Sequence, residues 1–224
     1  MKEKSQIRVV ALIPIKLGSA RVPGKNIKPF FDGTPLIHFI QRVCLKSSRI
    51  NEIYVYCSDE SINKYLLPGI KLIKRPAYLN GDDINANDII KEFMKVVSAD
   101  IYVNAHATSP FAKVETIDAC IDKVISGEHD SAFCAENVKA FMWEDGKPIN
   151  FEPDSIPRTQ DLPSIYAEAP IAYVFSKETF AKHNSRVGVN PYICNVGKIE
   201  AIDIDYPEDF VIADAIYKEV IKKL

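Results

Sequence analysis

Two groups of residues, near opposite ends of the chain, have the types and spacing for chemistry on a phosphorylated ligand. The first is the run Lys16-Leu17-Gly18-Ser19-Ala20-Arg21-Val22-Pro23-Gly24-Lys25-Asn26. Its glycines let the backbone approach an anion closely, and its lysines and arginine supply charge. The second is Asp203-Ile204-Asp205. Residues i and i+2 of a strand share a face, so the two carboxylates are expected to converge. Such a pair repels unless a cation lies between them. Mg²⁺ suits that place, because it prefers oxygen ligands, keeps several waters and takes one or two carboxylates plus substrate phosphates. Taken singly, the loop reads equally as a solvated turn, and the pair as an exposed strand end or a helix cap. Together they describe a site for a nucleoside triphosphate and a divalent ion. A triphosphate carries about four negative charges. At an effective dielectric near 20, each opposite unit charge about 4 Å away contributes roughly 4 kcal/mol before desolvation. Several fixed cations and a metal are therefore needed to hold it and to neutralise a departing pyrophosphate.

The elements that must position these residues alternate between strand and helix patterns. The apolar run at 8–15 reads as a buried first strand, which puts the basic loop at a strand end, where open α/β sheets bind ligands. A helix is expected at 35–43, capped by Thr34, with Pro35 in its first turn. Strands follow at 52–57, 70–73 and 100–105, a short helix after Ser58-Asp59, and helices from Asn87-Asp88 to about 97 and at 114–126. This repetition predicts an α/β fold: a mostly parallel, Rossmann-like nucleotide-binding sheet with helices on both faces. The pattern changes near Ser131. Strands at 131–135 and 171–175 enclose a proline-interrupted polar stretch, about 138–170, with an Asp145-Gly146 turn signal. So long a stretch without helices reads as a small protruding arm that packs on something, such as a second subunit. A strand at 199–205 and a helix at 207–222 close the chain.

The 224 residues suffice for one domain, 1–224, with the arm as its appendage. A hydrophobic content of 47%, a charged content of 26% and a net charge of −2 describe a soluble globular protein with no general attraction for nucleic acid or membrane surfaces. No segment has the roughly 18 consecutive apolar residues of a membrane span, and residues 1–6 lack a signal-peptide core. Cys44, Cys57, Cys120, Cys134 and Cys194 are odd in number and widely spaced. They fit reduced, buried residues of a cytoplasmic protein rather than disulfides or a zinc site.

The chain resembles the sugar-acid cytidylyltransferases, which include acylneuraminate cytidylyltransferases (CMP-sialic acid synthetases) and 3-deoxy-manno-octulosonate cytidylyltransferase. The resemblance rests on motifs in matching order: residues 19–25, Asn26-Ile27-Lys28-Pro29-Phe30, Gly33-Thr34-Pro35-Leu36-Ile37, Ser58-Asp59, Arg75-Pro76-Ala77, Thr108-Ser109-Pro110, Arg158 through Leu162-Pro163, and Asp203-Ile204-Asp205 with Glu208-Asp209-Phe210. It implies Mg²⁺-dependent transfer of CMP from CTP to an acidic acceptor, most simply a nonulosonic sugar acid, with release of pyrophosphate, for surface glycan synthesis by a homodimer. An octulosonate or phosphonate acceptor, or a noncatalytic nucleotide-binding protein on the same fold, are the alternatives. A dinucleotide oxidoreductase is disfavoured, since the loop lacks Gly-x-Gly-x-x-Gly. By the resemblance, Lys16 takes the place of a phosphate-binding arginine and Lys25 that of a lysine near the triphosphate, with Arg21 beside them. Leu12, Pro14, Gly18, Ser19, Asn26 and Arg75 fall on the nucleotide, and Asp203 and Asp205 on the metal.

Three departures bear on the acceptor. Lys16 replaces a bidentate fork by a point charge. His106 stands where sialate synthetases carry a glutamine facing the sugar, and Ser109, three residues on, is also expected at the substrate. His106 is read as a substrate contact in preference to a base. Ala167 and Ala169 occupy the places of an acceptor-binding arginine and asparagine. The acceptor's carboxylate then needs another cation, for which Arg158 and Arg186 are candidates, while Glu168 is suited to a hydroxyl or amino group. The acceptor and the general base stay open at this level.

Overall fold

The computed structural model describes residues 7–19, 21–81 and 83–223; residues 1–6 and Ala20 of the basic loop lie outside that set. Among the described residues nine strands run in chain order: β1 (Val9–Ile15), β2 (Glu52–Cys57), β3 (Ile70–Lys74), β4 (Ile101–Ala105), β5 (Ser131–Val138), β6 (Trp143–Glu144), β7 (Lys147–Pro148), β8 (Ile165–Ser176) and β9 (Pro191–Val196). The α-helices are α1 (Ile37–Lys46), α2 (Ala86–Val96), α3 (Val114–Ile125), α4 (Lys177–His183) and α5 (Pro207–Glu219). Seven strands form one sheet in the order β3-β2-β1-β4-β8-β5-β9. All neighbours are parallel except β8, which is antiparallel to β4 and β5.

Both faces of this sheet are covered, which is why its central strands read as continuous apolar runs. On one face, Ile37 and Ile40 of α1 and Ile117 and Ile121 of α3 pack on Ala11, Ile13, Val55 and Val103. On the other, Ile90 and Phe93 of α2 and Phe180 of α4 pack on Val10, Leu12, Tyr56, Tyr102 and Phe175. A third cluster, Phe30, Phe39, Ile204, Phe210 and Tyr217, docks α5 against the segment after β1. All five cysteines are buried and free, as expected of reduced core residues.

Two features of this topology build the site. The chain runs outward from β1 through β2 to β3, then returns to place β4 on the other side of β1. The carboxyl ends of β1 and β4 therefore diverge at a switch point, where open sheets form a crevice. In addition, antiparallel β8 pairs Ala172 with Ala105 at the end of β4. Residues before Ala172, Glu168 among them, thus project past the carboxyl end of β4, with a bulge between Phe133 and Cys134 on the β5 side.

Three local expectations are corrected. Thr34 does not cap α1. Its N–H donates to Asp32 Oδ1 and its carbonyl accepts from Phe30, inside a turn bridged by Pro29 and Pro35, and the helix starts after Leu36 with no side-chain cap. The segment 199–205 is not a strand, so strand alternation does not bring Asp203 and Asp205 to one face, and only the charge of Asp205 acting on Asp203 relates the two; the last strand is the earlier β9, at the sheet edge. The Ile-x-Ile-x pattern there is real, since Ile204 is fully buried, but its backbone joins the site loop through one bond, Ile204 N–H to Thr108 C=O at 2.9 Å. Finally, β5 and β8 continue past their expected ends into the arm, so its base is a strand pair. The outer part carries the small hairpin of β6 and β7, whose turn residues Asp145 (φ 48°) and Gly146 (φ 77°) are both left-handed, as an Asp-Gly hairpin requires.

Candidate active site

The crevice between the ends of β1 and β4 is a cleft of about 350 Å³. Lys16, Gly18, Ser19, Arg21, Lys25 and Asn26 line it from the basic loop, Pro14 from β1, and His106 and Thr108 from beyond β4. A larger hollow of about 810 Å³ opens at the amino end of β1, beside Ile7 and Val9. It is the wrong edge of the sheet for nucleotide chemistry, and its Arg49 and Asp122 neutralise each other at 2.8 Å.

The loop owes its shape to Gly24, whose φ of +66° suits a residue without Cβ, and which turns the chain into the short 3₁₀ turn Lys25–Ile27. The turn buries Lys25. Its Nζ donates to the Ile204 carbonyl and lies 3.0 Å from Asp205 Oδ1. Arg21 Nη2 lies 3.0 Å from the same oxygen, with its guanidinium 5.0 Å from the centre of the Tyr206 ring. The two chemical groups of the sequence thus meet through Asp205, which is paired to two residues that line the cleft. Asn26 ties the loop's two ends together by donating to the Lys16 carbonyl at 3.1 Å, and Lys16 Nζ donates to the Asn80 carbonyl at 2.6 Å.

Asp203 and Asp205 flank the buried Ile204. Burial pushes the Asp203 carboxyl pKa up; a hydrogen bond from Thr108 opposes this, and the charge of Asp205 adds to it. Its Oδ1 is buried with no hydrogen-bond partner among the described residues. Asp209, in the first turn of α5, accepts from the N–H groups of Asp205 (2.9 Å) and Tyr206 (2.7 Å), so the helix start holds the acidic segment in place.

His106 is fixed by its neighbours. Its Nε2 lies 3.1 Å from the Asn104 amide nitrogen and 3.4 Å from Arg186 Nη1. Two donors on one nitrogen assign it as the acceptor and leave the ring proton on Nδ1. Burial, with the charges of Arg186 and Lys25, pushes the pKa down to about 3. Arg186 also stacks on Tyr173, 3.5 Å above the ring centre, and the Tyr173 hydroxyl donates to Glu168. Glu168 and Arg186 therefore lie beyond His106, next to the cleft that it lines.

Four expected contacts lie elsewhere. Leu12 is buried in the core behind the cleft. Ser109 is fully buried and donates to the Pro170 carbonyl at 3.1 Å, tying the site loop to β8. Arg75 is buried and turned onto the Asn80 side chain, whose amide donates to Ser58. It thereby supports the turn that holds Lys16. Arg158 is exposed on the arm, 2.7 Å from Asp161. Conversely, Asn104, Tyr173 and Asn80 belong to the site and were not singled out from sequence. Asn104 carried a signal, a lone amide within the apolar run 101–105.

A cationic glycine loop and an acidic pair at the switch point of a doubly covered, mostly parallel sheet define an α/β nucleotide-binding protein. A family model described as cytidylyltransferase matches residues 10–192, and the chain belongs to that family. It is 27% identical over 223 residues to N-acylneuraminate cytidylyltransferase A of Danio rerio, covering 95% of this chain and 51% of that protein. It is 23% identical over 223 residues to pseudaminic acid cytidylyltransferase of Campylobacter jejuni subsp. jejuni serotype O:2, covering 93% and 96%. The chain thus spans about half the length of the zebrafish relative and nearly all of the Campylobacter one. Among solved structures, the fold is similar to CMP:2-keto-3-deoxy-manno-octonic acid synthetase complexed with CTP, with a TM-score of 0.69, 18% identity and coverage of 97% and 100%.

Proposed function

We propose that this protein transfers CMP from CTP to the hydroxyl of a sugar acid, releasing pyrophosphate, with Mg²⁺ as cofactor. The observation that carries this reading is the meeting of Arg21, Lys25 and Asp205 at the carboxyl ends of β1 and β4. The relatives named for N-acylneuraminate and pseudaminic acid support a nonulosonic acid as the acceptor class.

The donor set fits the ion. Asp203 and Asp205 offer carboxylate oxygens, one of them buried and unpartnered, and a dication of this kind completes its shell with water and phosphate. When bound between them, Mg²⁺ would supply neutralisation of the triphosphate. The remaining work is assigned to the chain. Lys16, Arg21 and the loop hold the phosphates in line for attack on the α-phosphorus, and positioning with fixed charge supplies most of the acceleration. His106, neutral, presents its Nδ1–H to the acceptor and takes no proton.

The arm leaves Trp143, Ile149 and Ile156 exposed at 57%, 51% and 65%, a surface suited to a second copy of the chain, and the active form is read as a homodimer. Among the described residues no helix is long and apolar enough to cross a membrane.

The test is incubation with CTP, Mg²⁺ and a panel of N-acylneuraminate, pseudaminic acid, 3-deoxy-manno-octulosonate and a sugar phosphonate, read by mass spectrometry. A CMP adduct of a nonulosonic acid with matching pyrophosphate is expected. CTP binding with no adduct from any acceptor would overturn the transferase reading.

A further inference from the structure

Arg186 is a half-buried guanidinium beside the cleft. Among the described residues no carboxylate lies within 4.0 Å of it; Arg8, Arg21, Arg49 and Arg158 each hold one, and buried Arg75, which also lacks one, is turned onto Asn80 instead. Burial lowers the pKa of this group, opposed by Tyr173 and by the charge of the Glu168 carboxylate. Nothing in its setting is accidental in geometry. The residue lies on the loop between α4 and β9, and that loop is pinned at several points. Arg186 N–H donates to Asn87 Oδ1 at 3.1 Å. Asp130 accepts from the N–H groups of Val189 (2.7 Å) and Asn190 (3.0 Å), and Ser131 from that of Gly188 (2.9 Å). Gly188 packs so tightly that a Cβ there would meet the Asp130 carboxylate at 2.4 Å. One flat face of the guanidinium lies on Tyr173, and Nη1 lies beside His106. With Nη1 directed at His106, the edge formed by Nε and Nη2 is the pair of N–H groups that would face a carboxylate bidentately.

We infer that Arg186 is the anchor for the acceptor's carboxylate, standing in for the cation that is absent at Ala167. The inference rests on the CMP-transfer reading and deepens it. Glu168, held by the Tyr173 hydroxyl, forms the neighbouring wall. An anchor of one cation flanked by one carboxylate selects an acceptor with a single negative charge and a hydrogen-bond donor nearby, a hydroxyl or an acylamino N–H. It disfavours a doubly charged phosphonate, which Glu168 would repel.

The experiment compares each sugar acid of the panel with its methyl ester, in wild type, R186Q and R186K. Wild type is expected to prefer acid over ester by about tenfold or more in kcat/KM, the scale of a charge-assisted hydrogen-bonded contact. In R186Q the KM for the acid rises about ten- to a hundredfold, the preference collapses to about twofold, and the KM for CTP stays within about threefold. R186K recovers part of the preference, as a point charge without the fork. Calorimetric CTP binding establishes that the variant is folded. G188A supplies a second route, because it displaces the pinned loop without touching the guanidinium, and it should raise the acceptor KM alone. If R186Q and G188A keep the wild-type acceptor KM and acid preference, the anchor is overturned and the transferase stands. If wild type transfers CMP to no acceptor, the transferase reading falls and the anchor falls with it.

Discussion

The Nε2 of His106 faces the Asn104 amide at 3.1 Å and Arg186 at 3.4 Å, so protonation there would place a proton against two donors. The consequence is measurable in stability as well as in rate. The folded pKa, about 3, lies below the ordinary histidine value of 6.5. As pH falls through 6.5 the unfolded chain takes up a proton that the folded chain refuses, so stability is lost toward acid and is flat above that range. The slope from this one group approaches about 1.4 kcal/mol per pH unit. H106Q removes it. Denaturant titrations at about pH 6.5 and pH 4.5 should therefore show wild type losing more stability than H106Q between the two, and equal losses would contradict a ring held neutral. Because glutamine can also donate a hydrogen bond, H106Q should keep turnover within about tenfold of wild type with no shift of the acid limb. Loss of a limb near neutrality in the variant would instead make His106 a base.

At the scale of elements, the start of α5 is the most consequential cap. Asp209 accepts from two N–H groups, one the helix entry at Tyr206 and the other that of Asp205 itself. D209A should cost about 1 kcal/mol in unfolding free energy, the ordinary worth of such a bond, and should also lower kcat by freeing the acidic segment. A stability loss with unchanged kcat would separate the cap from the site. The same region shows why some elements were legible and others not. The runs that became β1, β2 and β4 are apolar because both sheet faces are covered, and α2 is expected from sequence to open at Asn87-Asp88, whereas its cap is Asn85, reciprocally bonded to Asp88. Segment 199–205 carries the alternation of a strand because Ile204 must be buried, yet it lies off the sheet, and periodicity reports burial rather than hydrogen-bonded neighbours. Edge strand β9, with Pro191 and exposed Ile193, lacks the apolar signature and was missed.

For the whole molecule, the sheet order decides what sequence distance conceals. Lys25 and Asp205 are 180 residues apart and form an ion pair because α5 packs back on Phe30 and Phe39. Their types and spacing announced them. His106, Glu168 and Arg186 are also legible as acceptor contacts, but their packing on Tyr173 is not, because it depends on β8 running antiparallel beside β4 and on a loop crossing from α4. Depth was equally hidden: nothing in Arg75-Pro76 or Thr108-Ser109-Pro110 shows that Arg75 and Ser109 face inward. The exposed arm gives a prediction at this scale. Light scattering should find a dimer, and W143S with I156S should shift it toward monomer, since each exposed apolar side chain contributes about 1.5–3 kcal/mol when buried. An unchanged mass would move the interface elsewhere.

The account turns on Asp203 and Asp205 sharing a single triphosphate and metal with the basic loop. Calorimetric titration of CTP with and without Mg²⁺, in wild type and in the D203N/D205N double variant, addresses this most directly. Mg²⁺ should strengthen CTP binding about tenfold or more in wild type and leave the folded double variant nearly unaffected. The same strengthening in both proteins would show that the ion is held elsewhere and would contradict the account.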